Sequence, residues 1–279
     1  MCRLLFYVSP QAQINLDFII NQACNSLVKQ AYTEPYLPNY THDDLMKRNA
    51  VTHLDGYGVL YRKDRNRYTM IKSHLPIVDD NKYSNDINRF LYKNIENVET
   101  NFFLGFIRKN NLKTENRISD VQPLQLNNIF FMHNGEFNKS VDQMRPFLES
   151  KISQDILSNF KLDLDSKLLF ALVMTYLKCS HSVDFIKTQI KEVINLFIKA
   201  KTVNVNMSLN FIYADLGLNV FIAVRYRTCD EEPPSLYYNN NFYQGICIAS
   251  EPVDNDNQWQ LMQNQIIVII KDERYIYDL

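Results

Sequence analysis

A few residues in this chain combine reactive side chains with unusual positions. Cys2 directly follows the initiator methionine. Loss of Met1 would leave a thiol and a free α-amine on one residue. An unperturbed thiol has a pKa of ~8.5 and an α-amine ~7.7–8.0, so each can exchange a proton near neutral pH. Such a terminus is either an accident of where a strand starts or a self-contained nucleophile and base. Arg108 closes the apolar run "FFLGFIR" at 102 to 108. A guanidinium there is either a strand-edge charge facing water or a bidentate clamp for a carboxylate. The pair Asn134-Gly135 is either a hairpin turn or an oxyanion hole built from a side-chain amide and a backbone N–H. Asp165 opens "DSKLLF", where an aspartate serves as an N-cap or as an acceptor for a substrate ammonium. Asp55 and Gly56 begin the glycine-spaced "DGYG" at 55 to 58.

These groups must be carried by regular elements. Residues 2 to 8 are apolar and β-favouring, a predicted strand. Ile14, Phe18, Ile19 and Leu27 have helical spacing, which predicts a helix within 14–32. The stretch 35–44, "PYLPNYTHDD", reads as a loop. "DGYGVLYRK" and "NRYTMIKS" flank a polar turn at Asp64 to Asn66 and read as a hairpin. Helices are predicted over 84–98, 141–152, 164–178 and 183–200, with strands over 100–108 and 126–137. The last third is mostly strand. Strands, then helices, then strands imply one α+β layered domain over 1–279, not a parallel βαβ sheet.

Composition narrows the function classes. Among 279 residues, 46% are hydrophobic and the formal net charge is −1. That balance allows a large core and gives no electrostatic footprint for nucleic acid or an anionic membrane. No apolar run approaches the ~18 residues that span a bilayer, and the N-terminus has no signal-peptide pattern. The five cysteines (Cys2, Cys24, Cys179, Cys229, Cys247) form no C-x-x-C pair and are odd in number, consistent with reduced thiols in a cytoplasmic protein. The five histidines (His42, His53, His74, His133, His181) are scattered, so no metal and no cofactor is expected. Only six glycines occur, against an average usage of ~7%, so each marks a place where backbone geometry matters.

Taken in order, the chain resembles the class II glutamine amidotransferases, which are N-terminal-nucleophile enzymes. The matching segments are "MCRLL", "NSLVKQAY" at 25 to 32, "DGYGVLY" at 55 to 61, "FIR" at 106 to 108, "FMHNG" at 131 to 135, "LDSKLLFAL" at 164 to 172, "AVRYR" at 223 to 227, "PSLYY" at 234 to 238 and "ASEPV" at 249 to 253. Within the family the chain looks most like the stand-alone branch that opens M-C-R, which holds the YafJ-like and EgtC-like enzymes. It is most similar there to the fungal Dug-type glutathione-degrading amidotransferase subunit. The resemblance implies a four-layer αββα sandwich. It implies Cys2 as nucleophile, Asn134 and the Gly135 N–H as oxyanion holders, Arg108 on an α-carboxylate and Asp165 on an α-ammonium. Asp55 and Gly56 would line the site, as would the Ser250-Glu251 turn. The implied reaction is hydrolysis of a γ-glutamyl amide such as glutathione or glutamine, through a thioester. Some supporting positions depart from the family pattern: Phe106, Lys109, Asn110, Asn111, Gln122 and Lys167. The alternative is therefore a catalytically weakened or silent subunit that binds a peptidase-like partner. The Dug-type resemblance places the same partner beside an active chain.

Overall fold

A computed structural model describes residues 2–32, 53–64, 67–77, 86–109, 117–135, 141–178, 182–200, 208–227, 234–270 and 273–279. Met1, the loop at 35–44, the turn residues Arg65 and Asn66, Asn110, Asn111, His42, Cys179, His181 and Cys229 lie outside them. In chain order the elements are β1 (Arg3–Val8), β2 (Ile14–Asn15), a π-helical turn (Phe18–Gln22), α1 (Leu27–Gln30), β3 (Tyr57–Asp64), β4 (Arg67–Ser73), α2 (Asp86–Ile95), β5 (Glu99–Thr100) and β6 (Phe102–Ile107). After a 3₁₀ turn at Ile118–Asp120 come β7 (Leu124–Leu126), β8 (Ile129–Asn134), α3 (Val141–Glu149), α4 (Gln154–Asn159), α5 (Asp165–Leu177) and α6 (Val183–Ala200). The chain ends with β9 (Asn210–Asp215), β10 (Val220–Arg225), β11 (Tyr237–Phe242), β12 (Gly245–Ala249), β13 (Gln260–Leu261), β14 (Gln265–Ile270) and β15 (Glu273–Asp278).

The chain divides into two compact units, each built from discontinuous segments. The first is Met1–Pro123 with Pro234–Met262, and the second is Leu124–Pro233 with Gln263–Leu279. The first unit holds a seven-stranded sheet in the order β13-β11-β12-β1-β6-β3-β4, antiparallel throughout. The apolar runs "RLLFYV" and "FFLGFI" form neighbouring central strands buried on both faces. Leu5 and Tyr7 join a core with Leu27 of α1 and with Leu91 and Ile95 of α2. Leu4 and Phe6, which point the other way by the two-residue period of a strand, are equally buried. Burial on both faces explains why these strands lack polar alternation. The edge strand β4 is less buried and exposes the charged Arg67 at its start, a feature that discourages further pairing.

The second unit holds a six-stranded antiparallel sheet, ordered β15-β14-β10-β9-β8-β7. Its core packs β8, β9, β10 and β14 with α5 and α6. Helix α5 is buried from Ser166 through Val173, as expected for a helix that is apolar on most sides. Helix α6 buries Ile186, Ile190, Val193, Ile194 and Phe197, the stripe of a helix covering one sheet face.

The α+β class and antiparallel sheets agree with the sequence reading. The helix predicted within 14–32 does not form as one piece. That stretch is a two-residue strand, a π-helical turn and a four-residue helix capped by Ser26, whose Oγ accepts from the Lys29 N–H at 3.4 Å. Just before that helix, the Asn25 side chain bonds to Glu251 and Pro252, far along the chain. A further helix, α4, forms over Gln154–Asn159, between the two predicted at 141–152 and 164–178.

Candidate functional site

In the first unit three strands end side by side. Register pairs Ile107 with Arg3 on one side and with Tyr57 on the other. One step outward, Cys2, Arg108 and Gly56 therefore stand in a row. The Arg108 N–H donates to the Gly56 carbonyl at 2.8 Å, and the Asp55 N–H donates to the Arg108 carbonyl at 3.2 Å. The Cys2 Sγ lies 3.5 Å from the Lys109 nitrogen and 3.7 Å from the Lys109 oxygen. The thiol thus rests on the backbone that immediately follows Arg108. Gly56 turns the chain at φ +121°, and a Cβ there would come within 2.5 Å of the Ser73 carbonyl oxygen. Only glycine makes this turn without strain.

Two arginines in this unit are buried in different ways. Arg3 forms an ion pair with Glu251 (Nη2 to Oε1, 3.0 Å), both side chains being almost fully buried. Its Nη1 reaches the Cys2 carbonyl at a longer 3.5 Å. Glu251 Oε2 accepts from Asn25 Nδ2 at 3.2 Å, and the same amide donates to the Pro252 carbonyl at 2.7 Å. The Leu4 N–H donates to Ser250 Oγ at 2.9 Å, and the Ser250 N–H donates back to the Leu4 carbonyl at 2.8 Å. The "NSLVKQ" and "ASEP" segments therefore converge on the two residues after Cys2. Arg108 is only 9% exposed, and its buried Nη1 makes no hydrogen bond among the described residues. The reading of Arg108 as a solvated surface charge does not hold. A buried guanidinium donor left unsatisfied is costly unless something else completes it.

His53, two residues before Asp55, is a site neighbour that the sequence reading missed. It is fully buried, with its backbone N–H on the Ala31 carbonyl at 2.8 Å. Burial, reinforced by the positive charge of Arg3, lowers its pKa to about 2, so the imidazole stays neutral. No spacing in the sequence sets His53 apart from the other four histidines.

In the second unit β8 runs antiparallel to the start of α5. Phe131 stacks on Phe170 with ring centroids 5.0 Å apart, and His133 Nδ1 lies 3.0 Å from Ser166 Oγ. Two strand residues advance about 6.7 Å and four helical residues about 6 Å. Phe131/Phe170 and His133/Ser166 are therefore successive rungs of one ladder. The next residues, Asn134 and Gly135, end the strand. Asn134 is buried and sits opposite Asn210 in register. Asp165 is the first residue of α5, and the N-cap position belongs to Leu164. The Asp165 Oδ1 accepts the Ser166 N–H at 2.7 Å, and its negative charge suits the first turn of a helix. Asp165 therefore does not fill the N-cap role.

Of the residues singled out in the sequence, the fold brings Cys2, Asp55, Gly56 and Arg108 together in the first unit. Asn134, Gly135 and Asp165 belong to the second. Among the described residues no group of three or more His, Cys, Asp or Glu could hold a metal ion. Cys24 is exposed and Cys247 buried, both as free thiols. No helix among the described residues is long and apolar enough to cross a membrane.

No family model and no curated protein matches the chain. Solved structures do. A glutamine aminotransferase class-II domain protein from Silicibacter pomeroyi superposes with a TM-score of 0.60 at 18% identity, covering 99% of this chain and 99% of that one. The glutamine phosphoribosylpyrophosphate (PRPP) amidotransferase from B. subtilis, complexed with ADP and GMP, gives a TM-score of 0.57 at 15% identity. All of this chain is covered there, but only 49% of the B. subtilis chain. At such identities the likeness is one of fold: the chain has the fold of the class II, N-terminal-nucleophile glutamine amidotransferases.

Proposed function

We propose that this chain is a glutamine amidotransferase-type amide hydrolase that cleaves γ-glutamyl amides through Cys2. One observation carries the reading: a buried guanidinium with an unmet donor, Arg108, lies one residue from the backbone that supports the Cys2 thiol. A carboxylate bound at Arg108 would complete that donor and place an amide near the sulfur.

In this reaction Met1 is removed and the α-amine of Cys2 takes the thiol proton through a water molecule. The sulfur attacks the γ-carbonyl carbon, and the carbonyl electron pair moves to oxygen, held by the Asn134 amide and the Gly135 N–H. The intermediate collapses, the C–N bond breaks, and the α-ammonium returns its proton to the leaving amine. Water then attacks the thioester, releasing the γ-carboxylate and restoring the thiol. Arg108 holds the substrate α-carboxylate and Asp165 its α-ammonium. Asp55 and Gly56 shape the backbone beside the carboxylate. Glutathione and glutamine are the first substrates to assay, with glutamate release as the signal. Release by the wild type and its loss in Cys2→Ser support the reading, and equal release by both refutes it.

A second reading is favoured by Lys167. Its ammonium lies two residues from Asp165, is nearly buried, and pairs with Asp163 at 2.6 Å. A fixed cation there disfavours a substrate ammonium and suits a silent subunit that serves a peptidase-like partner. In that case neither substrate is hydrolysed, with or without the partner.

A further inference from the structure

We infer that His133 is a positioning residue for the proposed oxyanion segment, acting as a neutral imidazole protonated on Nε2. The inference rests on the role given above to Asn134 and Gly135. The His133 Nε2 faces the Ser208 carbonyl oxygen at 3.2 Å. A carbonyl only accepts, so Nε2 must carry the proton. In a neutral ring Nδ1 then accepts, and the Ser166 hydroxyl at 3.0 Å is the donor, this contact being shorter than the 3.5 Å from the same hydroxyl to Asp165 Oδ1. The Ser166 N–H is in turn held by Asp165 Oδ1. One chain of contacts, directional at every link, runs from the first residue of α5 to the Ser208 carbonyl.

Gly135 sits against that chain. A Cβ added to it would overlap the Ser208 carbonyl oxygen and lie 2.6 Å from His133 Nε2. The ring and the carbonyl it binds are the wall that fixes Gly135, and so set where its N–H points. The side chain of Asn134 alternates to the opposite face of β8 from His133, which leaves His133 to act through backbone placement alone. His133 is fully buried, and burial lowers its pKa despite the nearby Asp165 carboxylate, in keeping with a ring that stays neutral. A protonated ring would lose the acceptor that Ser166 uses.

The test combines ring spectroscopy with kinetics on the full chain. Nitrogen-15 spectra of His-labelled wild type should show the His133 ring as the neutral Nε2–H tautomer from pH 8 to pH 5. Removing a direct oxyanion donor costs about 10²–10³ in kcat. Loss of positioning should cost less, about tenfold to a hundredfold, in Ser166→Ala and His133→Asn, with KM for glutamine changed less than about threefold. His133→Gln keeps a donor where Nε2 sits and should recover part of that kcat. An Nδ1–H tautomer overturns the inference. So does wild-type kcat in Ser166→Ala and His133→Asn, or no recovery in a folded His133→Gln. A wild type that hydrolyses no γ-glutamyl amide, and is not labelled at Cys2 by a glutamine-like electrophile, overturns the proposed function and this inference with it. An active wild type with unaffected variants overturns this inference alone.

Discussion

Replacing Arg108 with methionine should make the protein more stable while removing its ability to use substrate. The buried Nη1 of Arg108 has no hydrogen-bond partner among the described residues. An unsatisfied buried donor costs about 1–3 kcal/mol, and more when charged. Methionine keeps much of the aliphatic length without the charge. Arg108→Met should therefore gain about 1–3 kcal/mol, a rise in Tm of about 2–12 °C at 2–4 °C per kcal/mol. Arg3 supplies the internal contrast, because its guanidinium is paired with Glu251. Removing one partner of a buried pair costs about 3–5 kcal/mol. The assay is thermal unfolding with and without L-glutamine, in a Cys2→Ala background so that the ligand is not consumed. At one hundred times Kd, glutamine should add about 2.7 kcal/mol to the Arg108 protein and almost nothing after Arg108→Met. A fall in Tm of more than about 4 °C would make Arg108 a structural residue, and a glutamine shift that survives the substitution would remove it from the substrate site.

Other outcomes follow from the same contacts. Arg108→Lys keeps charge but loses the planar fork, so kcat/KM should fall about tenfold to a hundredfold, read by glutamate release. Glu251→Ala removes the carboxylate that neutralises the buried Arg3, and should lower unfolding free energy by about 3–5 kcal/mol, read by urea midpoint. His53 and His133 are held neutral with lowered pKa values. The unfolded chain protonates them near ~6.5, so their neutral burial supports the fold above that pH. Stability is lost as pH falls below it, by at most about 1.4 kcal/mol per pH unit for His53, with His133 adding a loss in the same direction. For His53 this continues toward about pH 2, its folded pKa. Urea midpoints at pH 7.5, 6 and 5 should show the decline, and one that does not steepen below pH 6.5 refutes it. Gly56→Ala forces a Cβ into a φ of +121° beside the Ser73 carbonyl and should cost at least about 1–3 kcal/mol in a calorimetric scan.

Much of this fold was legible in the sequence where the cause is local. The runs "LLFYV" and "FFLGFI" are strands because five or six consecutive apolar residues suit a sheet buried on both faces. The spacing of Ile186, Ile190, Val193 and Phe197 reads directly as α6. What was not legible depends on partners distant in the chain. The helical spacing within 14–32 predicted a continuous helix, but Asn25 gives its amide to Glu251 and Pro252, more than 220 residues away. Nothing near Asn25 signals that bond. The sequence also left Arg108 between surface charge and clamp. Its burial comes only with the fold, which pairs its backbone with Gly56, more than fifty residues away. His133 and Ser166 are 33 residues apart, and only the β8–α5 ladder brings them to one rung.

The central claim is that Cys2 is the nucleophile, and covalent labelling tests it most directly. The protein is treated with a glutamine-like electrophile, digested and mapped by peptide mass spectrometry. Among the other described cysteines, Cys24 is exposed and Cys247 is buried, with its thiol pKa raised by that burial. A general thiol reagent would therefore favour Cys24. One adduct is expected on the N-terminal peptide, at Cys2 with Met1 absent, blocked by glutamine or a γ-glutamyl peptide and lost in Cys2→Ala. An adduct on Cys24 instead, labelling that substrate does not block, or active protein that retains Met1 would contradict it.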